Sequence, residues 1–165
     1  MPLQHDQVLG FAKVMMRRAL AELVGTALLL IAVIGSGIAA QSLSPSDTGL
    51  ELLENAVATG VALVAIILAV GPISGAHLNP VVSAADAFFG GLRPRELVAY
   101  VIAQVVGAVV GVIVANLMFS LPAVSLATRV RSSPGLWLSE IVATFGLLLV
   151  IFGVVRSHRT AAARS

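Results

Sequence analysis

Four stretches of this chain are too long and too apolar to belong anywhere but in a membrane. The run from Ala19 to about Gln41 contains one ionisable residue, Glu22. The runs from Ala56 to Val70, from Leu97 to about Leu121 and from about Leu136 to Val155 contain only Glu140 between them. A helix crosses the ~30 Å hydrocarbon layer with about 20 apolar residues, and helices satisfy their own backbone where no water can. Overall 58% of residues are hydrophobic and 11% charged, which excludes an ordinary soluble domain. The expected class is therefore an all-α integral membrane protein with four spans.

Between spans two and three lies Ser74-Gly75-Ala76-His77-Leu78-Asn79-Pro80, polar or conformationally special residues in an apolar setting. Asn before Pro opens a helix well, because the Asn side chain accepts from free backbone N–H groups and Pro at the first helical position has no N–H to leave unpaired. The helix so begun is expected over 80–90, ending at Gly90-Gly91. At ~1.5 Å per residue it is about 16 Å long, half of a span. Its N-terminus would lie near the midplane, with the positive dipole end and Asn79 facing whatever occupies that depth. The non-helical backbone before it is tolerated at membrane depth only when buried in protein or lining a water-filled cavity. The stretch implies a pore.

Lys13, Arg17, Arg18, Arg93, Arg95, Arg156, Arg159 and Arg164 would fall on one side of the membrane, and Arg129 and Arg131 on the other. That bias places both termini in the cytoplasm. It also suits anionic headgroups better than nucleic acid, for which no basic patch with interleaved aromatics is present. The first apolar run lacks a cleavage signature and is read as a retained span, not a removable signal. With no cysteine, disulfides and thiolate metal sites are excluded.

Ala21-Glu22-Leu23-Val24-Gly25-Thr26 and Ser139-Glu140-Ile141-Val142-Ala143-Thr144 align at a fixed offset. An odd number of spans separates the equivalent ends, so the second copy runs in the opposite sense, an inverted repeat with its site at the repeat interface. The expected division is a cytoplasmic tail over 1–18, a first repeat over 19–121, an extracytoplasmic loop over 122–135, the first span of an incomplete second repeat over 136–155, and a cytoplasmic tail over 156–165.

These residues resemble the aquaporin and glycerol-channel family, the major intrinsic proteins. Ser74 to Pro80 is similar to its first pore motif, and Ala21 to Thr26 and Tyr100-Val101-Ile102-Ala103-Gln104 are similar to its first- and third-helix signatures. The resemblance implies an inverted-repeat helix bundle and passive passage of water or small neutral solutes such as glycerol or undissociated metalloid acids. It implies a plasma-membrane location, a tetramer and no cofactor. By similarity Asn79 and Pro80 form the pore motif, with Val81 where the family has Ala. Asn79 would donate to the solute, and the carbonyls of Gly75, Ala76 and His77 would accept from it. Thr59 falls at an often aromatic constriction position, so a small side chain there implies a wider pore. A second Asn-Pro-Ala half-helix, fifth and sixth spans and the constriction Arg do not occur in these 165 residues, so the expected channel lacks its second pore half.

Intramembrane carboxylates are functional candidates by default. The matched positions of Glu22 and Glu140 favour struts accepting hydrogen bonds from pore-loop backbone over a proton relay. Gln104, an amide in mid-span, needs internal partners and is expected to bond the loop. His77 without a second ligand at metal spacing is read as a pore-loop residue, not a metal site. Asp86 is placed in a solvated vestibule. Gly35-Ser36-Gly37 and the Gly107/Gly111 pair are packing surfaces. An enzyme is not indicated: no nucleophile, base and orienting group occur together, and His5, His77 and His158 are far apart. Two alternatives to a channel stand: a non-conducting truncated protein associating with itself or a full-length relative, and a fragment of a secondary transporter. The latter would show a coupling-ion site or buried ion pair, and neither is visible in the sequence.

Overall fold

The computed structural model describes residues 5–125 and 132–162, and contains five helices and no strand among them. Arg129, Arg131 and Arg164 lie outside the described residues, as do the side chains of His5, Arg156, His158 and Arg159. The chain divides into two units, residues 1–125 and 126–165. The first holds α1 (His5–Leu43), α2 (Thr48–Ser74), α3 (Pro80–Phe88) and α4 (Pro94–Met118), and the second holds α5 (Pro134–Ala162). Four of them, α1, α2, α4 and α5, are long and apolar enough to cross a membrane. The protein is an all-helical, multi-pass membrane protein.

The helices overrun the apolar runs that announce them. Helix α1 reaches back to His5 because nothing between His5 and Arg18 breaks it: no Pro occurs, and Arg18 is anchored to Glu96 at 3.0 Å. At 39 residues it is roughly 58 Å long. Helix α2 starts at Thr48, where Asp47 accepts from the Leu50 N–H at 3.0 Å, and it continues through Pro72 to Ser74. Pro72 removes only its own helical donor, and the turn still closes through the Gly75 N–H to Gly71 O, with Gly75 left-handed at φ 95°. Helix α3 ends at Phe88, and α4 ends at Met118 as Ser120 turns to φ 58°.

Contacts fix the directions. Ser44 meets Glu54, Asn55 donates to Val33 O at 2.8 Å, and Gly25 lies against Ile66 and Val70, so α1 and α2 are antiparallel. Arg93 stacks on Phe11, Glu96 pairs with Arg18, Gln104 bonds Glu22, and Gly107 and Gly111 back onto Leu23 and Ala27. Helices α1 and α4 therefore run parallel from the same end of the unit. A Cβ on Gly107 would stand 2.3 Å from the Leu23 carbonyl oxygen, and one on Gly111 2.5 Å from that of Ala27, so only glycine permits this approach. Helix α3 begins at the depth of Glu22 and leads, through Leu92, back to the level of Phe11 and Arg93. The chain thus reaches α3 at mid-height from α2 and leaves it toward the end that carries Phe11 and Arg93.

The interior of this unit holds a polar cluster among small and apolar residues. Its largest fully buried side chains are Tyr100, Gln104, Glu22 and Ser83, whereas leucines, valines and isoleucines dominate the exposed faces of the spans. In lipid that inversion is stable, because tails solvate the outer faces and buried polar groups need one another.

Candidate functional site

The polar cluster is organised on residues 75–79, which join α2 to α3 without regular structure. Ala76 (φ 51°) and Leu78 (φ 53°) both adopt left-handed backbone, at about 1–3 kcal/mol each for residues with a Cβ. Such backbone persists only where its surroundings hold it, and the principal holder is Glu22. One carboxylate oxygen, Oε1, accepts from Ser74 Oγ at 2.6 Å and from the His77 N–H at 3.0 Å. The other, Oε2, accepts from the Leu78 N–H at 2.7 Å and from Gln104 Nε2 at 2.8 Å. The Leu78 side chain lies over Gly25, where a Cβ would stand 2.6 Å from its Cδ2. Tyr100, wholly buried, donates through its hydroxyl to the Ser74 carbonyl at 2.6 Å.

The backbone groups of this segment divide by type. Every N–H from Gly75 to Leu78 is taken: Gly75 by Gly71 O, Ala76 by Ser74 Oγ at 3.1 Å, His77 and Leu78 by Glu22. The carbonyls of Gly75, Ala76 and His77 accept from no described residue. Free acceptors on irregular backbone at membrane depth are admissible only when water or a solute meets them.

A second chain of bonds fixes the ring of His77. Gln104 Nε2 donates both to Glu22 and to Ser83 Oγ at 2.9 Å, and its Oε1 is buried without a partner. Flipping the amide would set that oxygen against the Glu22 carboxylate, so the orientation is enforced. Ser83 Oγ, accepting from Gln104, also hydrogen-bonds His77 Nδ1 at 3.1 Å. The other ring nitrogen, Nε2, stands 3.8 Å from Asp86 Oδ2. Below it, Arg18 lies over the Tyr100 ring at 5.3 Å and shares the Glu96 carboxylate with Arg93.

Asn79 caps α3, its Oδ1 accepting from the Val81 N–H at 2.8 Å, with Pro80 at the first position. Its Nδ2 has no acceptor among the described residues. Val81 is exposed. Thr59 sits on α2 with a shielded Oγ1 that makes no hydrogen bond. Glu140 lies exposed on α5 beside Ile141, Thr144, Phe145 and Leu148, and accepts no hydrogen bond from a described residue. Gln104 reaches Glu22 and Ser83 where loop backbone was expected, because the loop N–H groups are already held by the carboxylate. Asp86 is half-buried, with Oδ2 3.8 Å from His77 Nε2. Nothing in the sequence marks the Tyr100 bond to the Ser74 carbonyl, and Ser83's only signal is a hydroxyl four residues after Asn79, on the same face of α3. No cluster of three metal-ligating side chains occurs among the described residues.

The sequence matches the family model described as major intrinsic protein over residues 11–165. The chain belongs to the major intrinsic protein family. Members of that family are channels, not enzymes. Among its relatives, the aquaglyceroporin AqpS of Rhizobium meliloti (strain 1021) is 49% identical over 145 residues, which cover 88% of this chain and 62% of the relative. The probable aquaporin NIP7-1 of Arabidopsis thaliana is 37% identical, covering 78% of this chain and 46% of the relative. The aquaporin NIP1-1 of Zea mays is 35% identical, covering 87% and 50%. The chain thus spans roughly half to three-fifths of the length of these relatives.

Proposed function

We propose that residues 19–121 form one half of an aquaporin-type pore for water and small neutral solutes. The observation that carries this reading is the division of the 75–78 backbone, with every N–H held by protein and the carbonyls of Gly75, Ala76 and His77 left free. A row of fixed acceptors beside the free Asn79 amide donor replaces the hydrogen bonds of a polar neutral molecule in single file. The positive end of α3 opposes cations and protons at the same depth. Glu22, Ser74, Gln104 and Tyr100 act as supports, and His77 acts mainly through its carbonyl. Glu140 is the repeat equivalent of Glu22, and the Asn-Pro loop it would hold is not in these 165 residues. Conduction therefore requires a second half-helix, supplied by further sequence or by another chain.

Thr59 at the constriction position leaves the pore wider than an aromatic residue would, which favours glycerol-sized neutral solutes, undissociated metalloid acids among them. The name of the Rhizobium relative, aquaglyceroporin, agrees with that solute class. The bias of Lys and Arg supports cytoplasmic termini, and the family resemblance favours a tetramer in the plasma membrane.

Osmotic swelling of vesicles holding the protein as isolated from its native membrane tests the reading, with the intact mass measured on the same sample. Solute-driven swelling that is lost in Asn79→Asp is expected. Swelling equal to that of wild type would remove Asn79 from the path and end the proposal.

A further inference from the structure

An apolar trough of about 370 Å³ runs along the outside of the α1/α4 contact, lined by Met16, Leu20 and Leu23 of α1 and Ala99, Ile102 and Val106 of α4. Its floor is low because small residues, Ala19 among them, alternate with larger ones. Extended by one turn toward the start of each helix, the two lining faces reach Lys13, three residues before Met16, and Arg95, four before Ala99. The parallel register brings these two cations to one level. Phe11 meets Arg93 and Glu22 meets Gln104, both at an offset of 82 residues, which is also the offset between Lys13 and Arg95 (93−11, 104−22, 95−13).

The remaining described cations at this end are Arg17, which is exposed, forms no ion pair among the described residues and is absent from the trough lining, and Arg18 and Arg93. Arg18 and Arg93 are both bound to Glu96, at 3.0 and 3.1 Å. Lys13 and Arg95 are exposed and form no ion pair among the described residues. An acyl-sized apolar trough that ends in two uncommitted cations matches a molecule with a hydrocarbon tail and a negative head. We infer that the α1/α4 trough binds an anionic phospholipid, its acyl chain against Ala19, Ala99 and Ile102 and its phosphate between Lys13 and Arg95. The site lies outside the polar cluster and is independent of whether the protein conducts.

Each basic residue near a membrane surface contributes ~1 kcal/mol toward an anionic headgroup, so two give about a 30-fold preference. Native mass spectrometry of the purified full chain, titrated with phosphatidylglycerol and with phosphatidylcholine of the same acyl composition, reads that preference directly. Phosphatidylglycerol adducts are expected to be favoured about 30-fold, and Lys13→Gln and Arg95→Gln each to reduce the preference about fivefold. Ala99→Phe, which fills the trough and changes no charge, is expected to weaken both lipids together. Far-ultraviolet circular dichroism on each variant confirms that the helices remain. Equal binding of the two lipids, preference unchanged in the folded Lys13→Gln/Arg95→Gln double variant, or undiminished binding in folded Ala99→Phe would each overturn the inference. So would a dimer, seen in the same spectra, that Ala99→Phe abolishes, because a second copy would then occupy the trough.

Discussion

Removing the Glu22 carboxylate is the sharpest test of what holds residues 75–79. Its two oxygens accept four hydrogen bonds between 2.6 and 3.0 Å, from Ser74 Oγ, the N–H groups of His77 and Leu78, and Gln104 Nε2, and the side chain is wholly buried. Glu22→Gln preserves volume but turns one oxygen into an NH2 group. If that group takes the Oε1 place, Ser74 rotates to accept from it and the His77 N–H is orphaned. If it takes the Oε2 place, the Leu78 N–H is orphaned, and Gln104 relieves its own clash only by an amide flip that withdraws its donor from Ser83. Either way at least one buried N–H is unpaired and a charge-assisted bond is lost, which puts the cost at about 2–4 kcal/mol. Glu22→Ala strands all four donors and opens a cavity, at about 4–6 kcal/mol, and it frees Ala76 and Leu78 to leave their left-handed backbone. Hydrogen–deuterium exchange in detergent micelles reads both effects. Amides of His77 and Leu78 should exchange about 30-fold faster or more in Glu22→Gln, with the ends of α1 and α4 unchanged. Protection at His77 and Leu78 equal to wild type in both variants would show that Glu22 does not hold the segment.

Gly107→Ala and Gly111→Ala each drive a Cβ to within 2.3–2.5 Å of an α1 carbonyl oxygen; the helices must separate, and thermal unfolding in detergent should show about 1–3 kcal/mol lost per substitution. Tyr100→Phe deletes the 2.6 Å bond to the Ser74 carbonyl and should cost about 1–2 kcal/mol in the same measurement, with helix content unchanged by circular dichroism. Asn79→Ala removes the α3 cap at about 1 kcal/mol. Because the chain has no cysteine, a cysteine placed at Val81 reports fraying of α3 by its rate of thiol labelling, which should rise in the Asn79→Ala background.

The spans, the half-helix and the place of Asn79 were legible because each is a local pattern: apolar length, Asn-Pro, paired glycines. Span ends were not, since apolarity marks where lipid is and not where the helix stops. Helix α1 continues past Arg18 through a segment that is polar only in part, and α2 passes Pro72 because a proline near a C-terminus forfeits a single bond. Glu22 could be picked out as the lone charge of its apolar run, and its repeat match to Glu140 pointed to a strut for loop backbone. The role of Gln104 was less accessible. Its partners depend on which donors reach the carboxylate first, and that is set by the depth at which α2 and α4 pass Glu22. The ring of His77 is further removed still, since its hydrogen bond to Ser83 belongs to a chain of three side chains on three elements.

That chain and the carboxylate have a common physical logic. A peptide segment carries equal numbers of donors and acceptors, so a surface of acceptors alone exists only if something else consumes the donors. In residues 75–78 the consumers are Gly71 O, Ser74 Oγ and Glu22. A neutral amide in place of Glu22 has one accepting atom, too few for two N–H groups, a hydroxyl and an amide together, so the position demands a carboxylate even though one buried in a membrane protein is expensive. Gln104 then limits that expense by donating to the same carboxylate, and Ser83 links Gln104 to His77 Nδ1, whose Nε2 faces Asp86. Left-handed backbone at Ala76 and Leu78 is the geometric counterpart: it is the strain accepted so that the N–H groups point inward and the carbonyls stay free.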